Sequence, residues 1–180
     1  METLTKIIKL LEFIIIIRYL ENVQVMLESL YQKITGQISW SACVEGMIGY
    51  NTKVWRWSHI SEYAVVGDNC MIGEHVYIGP GVIIGNNCRI QNGCFIPEGV
   101  KIENNVFIGP HVHIMNDKYS PSPKSKLGTL LIESGAIIGG DTTIVMRNCE
   151  KMTIGTCSKI AAKSLILNSV DAQKSVKILW

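Results

Sequence analysis

The sequence lacks an excess of one charge and a long uninterrupted apolar run. Seventeen Lys and Arg residues against fifteen Asp and Glu residues give a formal net charge of +2. Because the basic residues are scattered along the chain, we expect no nucleic-acid partner. The most apolar stretch, residues 7–17, is interrupted by Lys9 and Glu12 and ends at Arg18. It is too short and too charged to span a bilayer, so we expect no membrane span.

The cysteines also lack the close spacing that is typical of metal ligands or redox pairs. None of the six belongs to a CxxC pair, and no cleavable signal precedes them. We therefore expect free thiols, a reducing compartment and a cytoplasmic protein. The six are Cys43, Cys70, Cys88, Cys94, Cys149 and Cys157.

What the sequence does contain is an internal repeat of six residues. A large aliphatic residue recurs at every sixth position from Ile48 to Ile114, and a small or β-branched residue follows four positions later, from Thr52 to Val112. A period of six fits neither an α-helix nor a simple alternating strand. Three such hexads can close a triangular coil whose aliphatic residues are buried by stacking on the next coil. The repeat therefore predicts an all-β parallel solenoid.

The residues between the aliphatic positions predict the corners of each coil. Glycine often follows the large aliphatic residue, and Asp68-Asn69, Asn86-Asn87 and Asn104-Asn105 fall where a tight turn is needed. Asparagine and glycine tolerate the left-handed backbone conformation of such turns. Each hexad is thus interpreted as a short strand followed by a corner.

The six-residue repeat also predicts the boundaries of the domains. We predict a β-helix over residues 38–172, interrupted by an inserted loop at 115–131, and a tail at 173–180 that departs from the repeat. Residues 1–37 have helical spacing and form a predicted amphipathic extension. This extension can cap the first coil, bundle with its copies in an oligomer, or contact a membrane surface.

Four motifs carry a resemblance to a known family. They are Thr52-Lys53-Val54-Trp55, Arg89-Ile90-Gln91-Asn92, Glu98-Gly99-Val100 and Asn116-Asp117-Lys118-Tyr119. In this order they resemble the hexapeptide-repeat sugar-nucleotide N-acetyltransferases, which acylate a 3-amino sugar of the UDP-2-acetamido-3-amino-glucuronate or dTDP-3-amino-hexose type. The resemblance implies a left-handed β-helix, a homotrimer, and acetyl-CoA as co-substrate between subunits. It also implies a nucleotide-linked amino sugar as acceptor, for the synthesis of a surface polysaccharide or glycan.

The resemblance also implies the acceptor site. Asn116 matches the family residue that holds the acceptor amine, and its amide oxygen can accept a hydrogen bond from that amine. Asp117 is a candidate general base. Asn116 and Asp117 can equally start a turn. Further matches near the nucleotide or sugar are Gln91, Asn92 and Glu98; Lys118 can supply positive charge where the family has an arginine, which this chain lacks.

Two histidines are alternative catalysts, because many hexapeptide acyltransferases use a histidine base near the inserted loop. By repeat position His113 points outward and His111 lies at a corner. A solvated imidazole is the competing interpretation for each. Together with His75 they could also form a three-histidine zinc site like that of γ-class carbonic anhydrases, but the surrounding sequence does not resemble that class, and we expect no metal.

The late coils are the predicted cofactor site. Small residues there let a pantetheine chain approach the backbone closely, and the matching positions are Ile138, Gly139, Gly140, Ala161 and Ala162. Extra residues between Met146 and Met152 distinguish these coils from the family pattern. A trimeric scaffold without catalytic activity is therefore the alternative to an acetyltransferase.

Overall fold

The structure is a computed structural model that describes residues 20, 23, 24, 26, 27, 37–118, 127–147 and 151–176. The chain divides into two compact units, Met1–Gly36 and Gln37–Trp180. In the first unit the five described residues are helical, and the rest of the predicted extension lies outside the described residues. Among the residues that are described, no helix is long and apolar enough to cross a membrane.

The second unit is a left-handed parallel β-helix, as the repeat and the family resemblance predict, and its short strands form three parallel sheets. Face 1 contains β1 (Cys43–Val44), β4 (His59–Ile60), β7 (Tyr77–Ile78), β10 (Phe95–Ile96), β13 (His113–Met115), β16 (Thr143–Val145) and β19 (Leu165–Ile166). Face 2 contains β2 (Met47–Ile48), β5 (Val65–Val66), β8 (Ile83–Ile84), β11 (Val100–Ile102), β14 (Thr129–Ile132) and β17 (Lys151–Ile154). Face 3 contains β3 (Lys53–Val54), β6 (Met71–Ile72), β9 (Arg89–Ile90), β12 (Phe107–Ile108), β15 (Ile137–Ile138), β18 (Lys159–Ile160) and β20 (Ser175–Val176).

The core of the regular coils consists of the two predicted interior series. The aliphatic series is fully buried from Val54 to Ile114, and only Ile48 in the first coil is partly exposed. The small series from Thr52 to Val112 is buried as well. Thr52 and Ser58 satisfy their hydroxyl groups by donating to the Gly67 and Gly73 carbonyls, each at 2.6 Å. Stacking of successive coils therefore removes both series from water, which a single coil cannot do.

Asparagine side chains link the corners between face 2 and face 3. The predicted turn residues Asn69, Asn87 and Asn105 have φ between 55° and 59°, in the left-handed region. Asn104 Oδ1 accepts the Asn86 backbone N–H at 2.7 Å. A Cβ at Gly85 would lie 2.6 Å from the same oxygen. The glycine after the aliphatic residue is therefore required by the asparagine of the next coil.

This arrangement predicts that Gly85→Ala destabilises the fold. The new methyl group must displace Asn104 Oδ1 and leave the Asn86 N–H unpaired, which should cost about 2–4 kcal/mol of unfolding free energy. Gly81→Ala is the matched control: its Cβ meets nothing within 4 Å, so only the strain of φ +67° remains, at about 1 kcal/mol. Urea unfolding measures the stability of both variants. Equal losses of unfolding free energy would contradict the explanation by the Asn104 contact.

The boundaries of the repeat differ from the prediction at two places. Strand β20 pairs with β18 and extends the β-helix to Val176, past the predicted end at residue 172. The predicted loop 115–131 begins and ends in strand, because β13 includes Met115 and β14 starts at Thr129. Its base is closed by the Gly128 N–H, which donates to the Asn116 carbonyl at 2.9 Å. Residues 119–126 of the loop lie outside the described residues.

Candidate active site

Outward side chains of face 1 form a stripe that we call the aromatic stripe, made of His59, Tyr77, Phe95 and His113. The Tyr77 and Phe95 rings stack at 4.9 Å between centroids, and His59 contacts Tyr77 edge-on at 5.6 Å. His113 pairs in register with Phe95. The residues lie one above another because each coil places the same hexad position on the same face. The stripe runs toward the foot of the inserted loop.

Asn116 lies at the corner that follows face 1, which we call the loop corner. Its Nδ2 donates to the Glu98 carbonyl at 2.9 Å, and its own backbone carbonyl accepts from Gly128. Within the described part of the chain, Asn116 Oδ1 has no hydrogen-bond partner. The amide is thus fixed at its nitrogen and offers its oxygen to a donor. Asp117 and Lys118 follow directly, so the structure brings four of the predicted site residues to one corner.

His113 lies three residues before Asn116 and is exposed on face 1. Its Nδ1 is 3.0 Å from the His111 carbonyl. A neutral imidazole that donates from Nδ1 to a carbonyl carries its lone pair on Nε2. His111 itself lies at the other corner of face 1 with φ 56°, and its ring packs beneath Gly93. His113 therefore has the better geometry for accepting a proton.

The corner between face 3 and face 1, which we call the small-residue corner, contains the predicted cofactor residues. Gly139, Gly140 and Ala162 stack tightly there: a Cβ at Gly139 would collide with the Ala162 backbone nitrogen, and one at Gly140 would lie 3.0 Å from the Pro110 carbonyl. Coil packing therefore also requires small residues here. Ile138 is fully buried, and its carbonyl accepts the Gly109 N–H at 2.8 Å, so its side chain faces the core.

Gln91 and Asn92 lie at the small-residue corner, on the opposite side of face 1 from Asn116. Asn92 Oδ1 accepts the Glu74 backbone N–H at 3.0 Å, which gives this side chain a structural partner. Gln91 and Asn92 line a groove of about 290 Å³ together with Trp55. A single chain thus separates the predicted substrate residues into two groups, with His113 between them.

Trp55 is the aromatic residue that lines this groove. Its side chain is 47% exposed, which leaves a ring face open to a planar group. Trp57 stacks on His75 instead, with 4.9 Å between ring centroids. His75, His111 and His113 do not form a group with metal-ligand spacing in the described part of the chain. Among the described residues, the group with metal-ligand spacing is a different one, Cys43, Glu45 and His59.

The interior cysteines have a packing role. Cys70, Cys88 and Cys94 are buried in the small series, as their repeat positions predict. Burial raises the pKa of the Cys94 thiol to about 11, so it stays neutral at physiological pH. Its Sγ donates to the Gly109 carbonyl at 3.1 Å. Such a thiol is a small core residue and an unreactive nucleophile.

Comparison with known proteins supports the fold. A model of the bacterial transferase hexapeptide, six repeats, matches residues 63–98. Among solved structures, GDP-perosamine N-acetyltransferase from Caulobacter crescentus, in complex with CoA and GDP-perosamine, is similar with a TM-score of 0.57 at 12% identity. The match covers 72% of this chain and 52% of that one, so this chain spans about half the length of that enzyme.

A second solved structure is AntD, an N-acyltransferase from Bacillus cereus in complex with dTDP and coenzyme A. It is 19% identical over 82% of each chain, with a TM-score of 0.40. No curated protein sequence matches the chain. At these identities the comparison with GDP-perosamine N-acetyltransferase establishes a shared fold, while the chemistry must be argued from the site.

Sequence reasoning did not foresee the aromatic stripe, although a signal for it exists. His59, Tyr77, Phe95 and His113 each follow the previous member by three hexads. Three hexads make one coil, so this spacing predicts vertical neighbours on one face. Reading the outward positions with the same period as the interior ones would have found the stripe.

Proposed function

Because this chain is a hexapeptide-repeat β-helix, we propose that it is an acyl-CoA-dependent N-acyltransferase that acetylates the amino group of a nucleotide-linked amino sugar. The observation that carries the proposal is Asn116, whose amide nitrogen is held by the Glu98 carbonyl while its Oδ1 is left to accept from an incoming amine. GDP-perosamine N-acetyltransferase, which shares the fold, binds CoA and a nucleotide-linked amino sugar. The acceptor would serve the synthesis of a surface polysaccharide or glycan in the cytoplasm.

The proposed reaction requires that the amine is positioned against the thioester and that one group accepts a proton. The neutral amine nitrogen attacks the thioester carbonyl carbon of acetyl-CoA, a C–N bond forms, and the C–S bond breaks. The amine proton passes to a base, and the coenzyme leaves as a thiolate that takes up a proton. Asn116 Oδ1 would accept from the amine and aim its lone pair at the thioester, and such orientation supplies much of the rate in bimolecular reactions.

We assign the role of proton acceptor to His113. Its Nδ1 contact with the His111 carbonyl leaves Nε2 on the exposed side of face 1. Asp117 is the alternative base, since it follows Asn116 directly. Lys118, at the same corner, would supply positive charge near the acceptor nucleotide, and Glu98 would orient the amide of Asn116 through its backbone.

The division of the site into two corners supports a homotrimer. Gln91 and Trp55 line a groove at the small-residue corner, whereas Asn116 lies at the loop corner across face 1. A neighbouring subunit would bring its small-residue corner beside the loop corner. Acetyl-CoA would then extend along Gly139, Gly140, Ala161 and Ala162 of one subunit toward the amine held by the other.

A direct test uses the full chain with acetyl-CoA and a panel of UDP-, dTDP- and GDP-linked amino sugars, with mass spectrometry of the sugar nucleotide. We expect an acetylated product with at least one acceptor. Absence of product with every acceptor, together with no thermal stabilisation by acetyl-CoA, would refute the acyltransferase and favour the scaffold.

The small-residue corner gives a separate prediction about cofactor binding. Ala162 is exposed, so Ala162→Glu should leave the coil intact while placing a negative charge beside the phosphates of CoA. We expect the variant to unfold at the wild-type temperature and to lose most of its stabilisation by acetyl-CoA, which follows the ratio of ligand concentration to Kd. Ala172→Glu, at an exposed position on the corner between face 2 and face 3, is the matched control. Equal thermal stabilisation of the two variants by acetyl-CoA would show that the cofactor does not bind beside Ala162.

A further inference from the structure

Three potential metal ligands lie together at the outer surface of the first coil. Cys43 is in β1 and His59 is in β4, and the two residues pair directly across the parallel ladder. Glu45 follows β1 two residues after Cys43, so both side chains project to the same side of the strand. His59 begins the aromatic stripe, but the group lies three strands along face 1 from the strand that precedes Asn116, and none of its members has a role in the proposed acyl transfer.

The distances between the three ligand atoms fit one metal ion. Glu45 Oε1 accepts from Cys43 Sγ at 3.8 Å, and Glu45 Oε2 lies 3.7 Å from His59 Nε2. All three ligand atoms lie within 4.8 Å of one another. Zinc–ligand bonds of about 2.0–2.3 Å at tetrahedral angles place ligand atoms about 3.3–3.6 Å apart. The two contacts to Glu45 are within a few tenths of an ångström of this spacing. Cys43 Sγ and His59 Nε2, which lie within 4.8 Å of each other, would approach by up to about 1 Å when an ion binds.

His59 provides an independent indication of a ligand. Nearly half of its side chain is exposed, but its Nε2 atom is buried and makes no hydrogen bond. The 3.7 Å to Glu45 is too long for one. The Tyr77 ring packs against the imidazole in a T-shaped contact and limits its rotation. A buried ring nitrogen without a partner, aimed at a carboxylate and beside a thiol, is a position that a cation would satisfy.

We propose that Cys43, Glu45 and His59 bind one Zn²⁺ ion per chain, with water as the fourth ligand. The mixture of sulfur, imidazole nitrogen and carboxylate oxygen suits Zn²⁺, whereas Mg²⁺ and Ca²⁺ prefer oxygen ligands alone. Binding deprotonates the Cys43 thiol and releases that proton to solvent. The ion would clamp β1 to β4 and so secure the terminal strand of face 1, which among the described strands pairs on one side only.

The test is a zinc titration of the full chain after chelator treatment, followed by metal analysis after gel filtration. We expect one Zn²⁺ per chain and a higher unfolding temperature with zinc. Co²⁺ should bind in its place and give a thiolate-to-metal charge-transfer band in the near ultraviolet. Cys43→Ser should abolish that band, and Glu45→Gln should weaken zinc binding by more than the roughly 10–100-fold that loss of an outer-shell partner costs.

Cys157→Ser is the matched control, because Cys157 is the other exposed free cysteine among the described residues. It should bind zinc as the wild type does. Alkylation provides a readout on the unmodified chain: zinc should slow alkylation of Cys43 and leave that of Cys157 unchanged. Wild-type zinc affinity in both Cys43→Ser and Glu45→Gln, or equal alkylation of Cys43 with and without zinc, would overturn the site. None of these outcomes depends on acetyl transfer.

Discussion

Replacing Asn116 with alanine is expected to lower kcat/KM for acetyl transfer by about 10²–10³-fold, the usual cost of losing a positioning group at a reacting centre. The variant loses the Oδ1 atom that would accept from the amine and the Nδ2 donor to the Glu98 carbonyl. The backbone bond from Gly128 to residue 116 remains possible, so the base of the loop should stay closed. Steady-state assays with saturating acetyl-CoA measure the effect.

Two further variants separate chemistry from loop anchoring. Asn116→Asp keeps an oxygen acceptor but loses the donor to Glu98, so it should retain more activity than Asn116→Ala if the oxygen is what matters. Asn168→Ala is the matched control, because Asn168 is an exposed asparagine that also follows a strand of face 1, two coils further on. It should transfer acetyl groups at the wild-type rate. Wild-type turnover in Asn116→Ala would show that Asn116 forms the turn and has no role in acetyl transfer.

The fold was predictable because burial and backbone geometry impose the same six-residue period. Ile90 and Cys88 are buried because every coil repeats the position of the coil below. Asn87 adopts a left-handed φ, which asparagine tolerates more readily than most residues. The period was less informative at the C-terminal end, where the step from Ile166 to Val170 is four residues and not six. Val170 and Val176 nevertheless pair with Ile154 and Ile160 of the coil before, so the β-helix continues past the break in the count.

The corner on which each candidate residue lies was predictable from the repeat, but the assembly of these residues into one site was not. Repeat position places Asn116 at one corner of face 1 and Gln91 at the other. In the proposed homotrimer these corners meet across a subunit boundary, and the hexad pattern of one chain carries no information about such a boundary. Packing also explains features that sequence reasoning assigned to ligands: Gly139 must be small because Ala162 stacks on it, and Asn92 caps the Glu74 N–H.

The proposed metal group escaped sequence reasoning for a geometric reason. Cys43 pairs with His59, sixteen residues later, whereas His59 pairs with Tyr77, eighteen residues later. The first coil is thus two residues shorter than the next, and counting in hexads does not align Cys43 with His59. The sequence-based expectation of no metal considered only CxxC spacing and a three-histidine set.

Replacing His113 with glutamine should lower kcat by about 10²–10⁴-fold, the range that general-base catalysis contributes. Glutamine keeps the size of the side chain and can still hydrogen-bond to the His111 carbonyl, but its amide cannot accept a proton at neutral pH. KM for both substrates should change little, because His113 is assigned to proton transfer and not to binding. His111→Gln is the control, and it should retain most of its activity because the His111 ring packs at the far corner beneath Gly93.

Asp117→Asn distinguishes the two candidate bases. If His113 takes the proton, the Asp117 variant should lose far less activity than His113→Gln, and its loss should appear mainly in KM for the acceptor. The opposite order would assign the proton to Asp117 and leave His113 as a member of the aromatic stripe. Because His113 and Asp117 flank Asn116 on the same strand and corner, either result keeps the reacting amine at the foot of the inserted loop. Full activity in both variants would instead require a base from another part of the molecule.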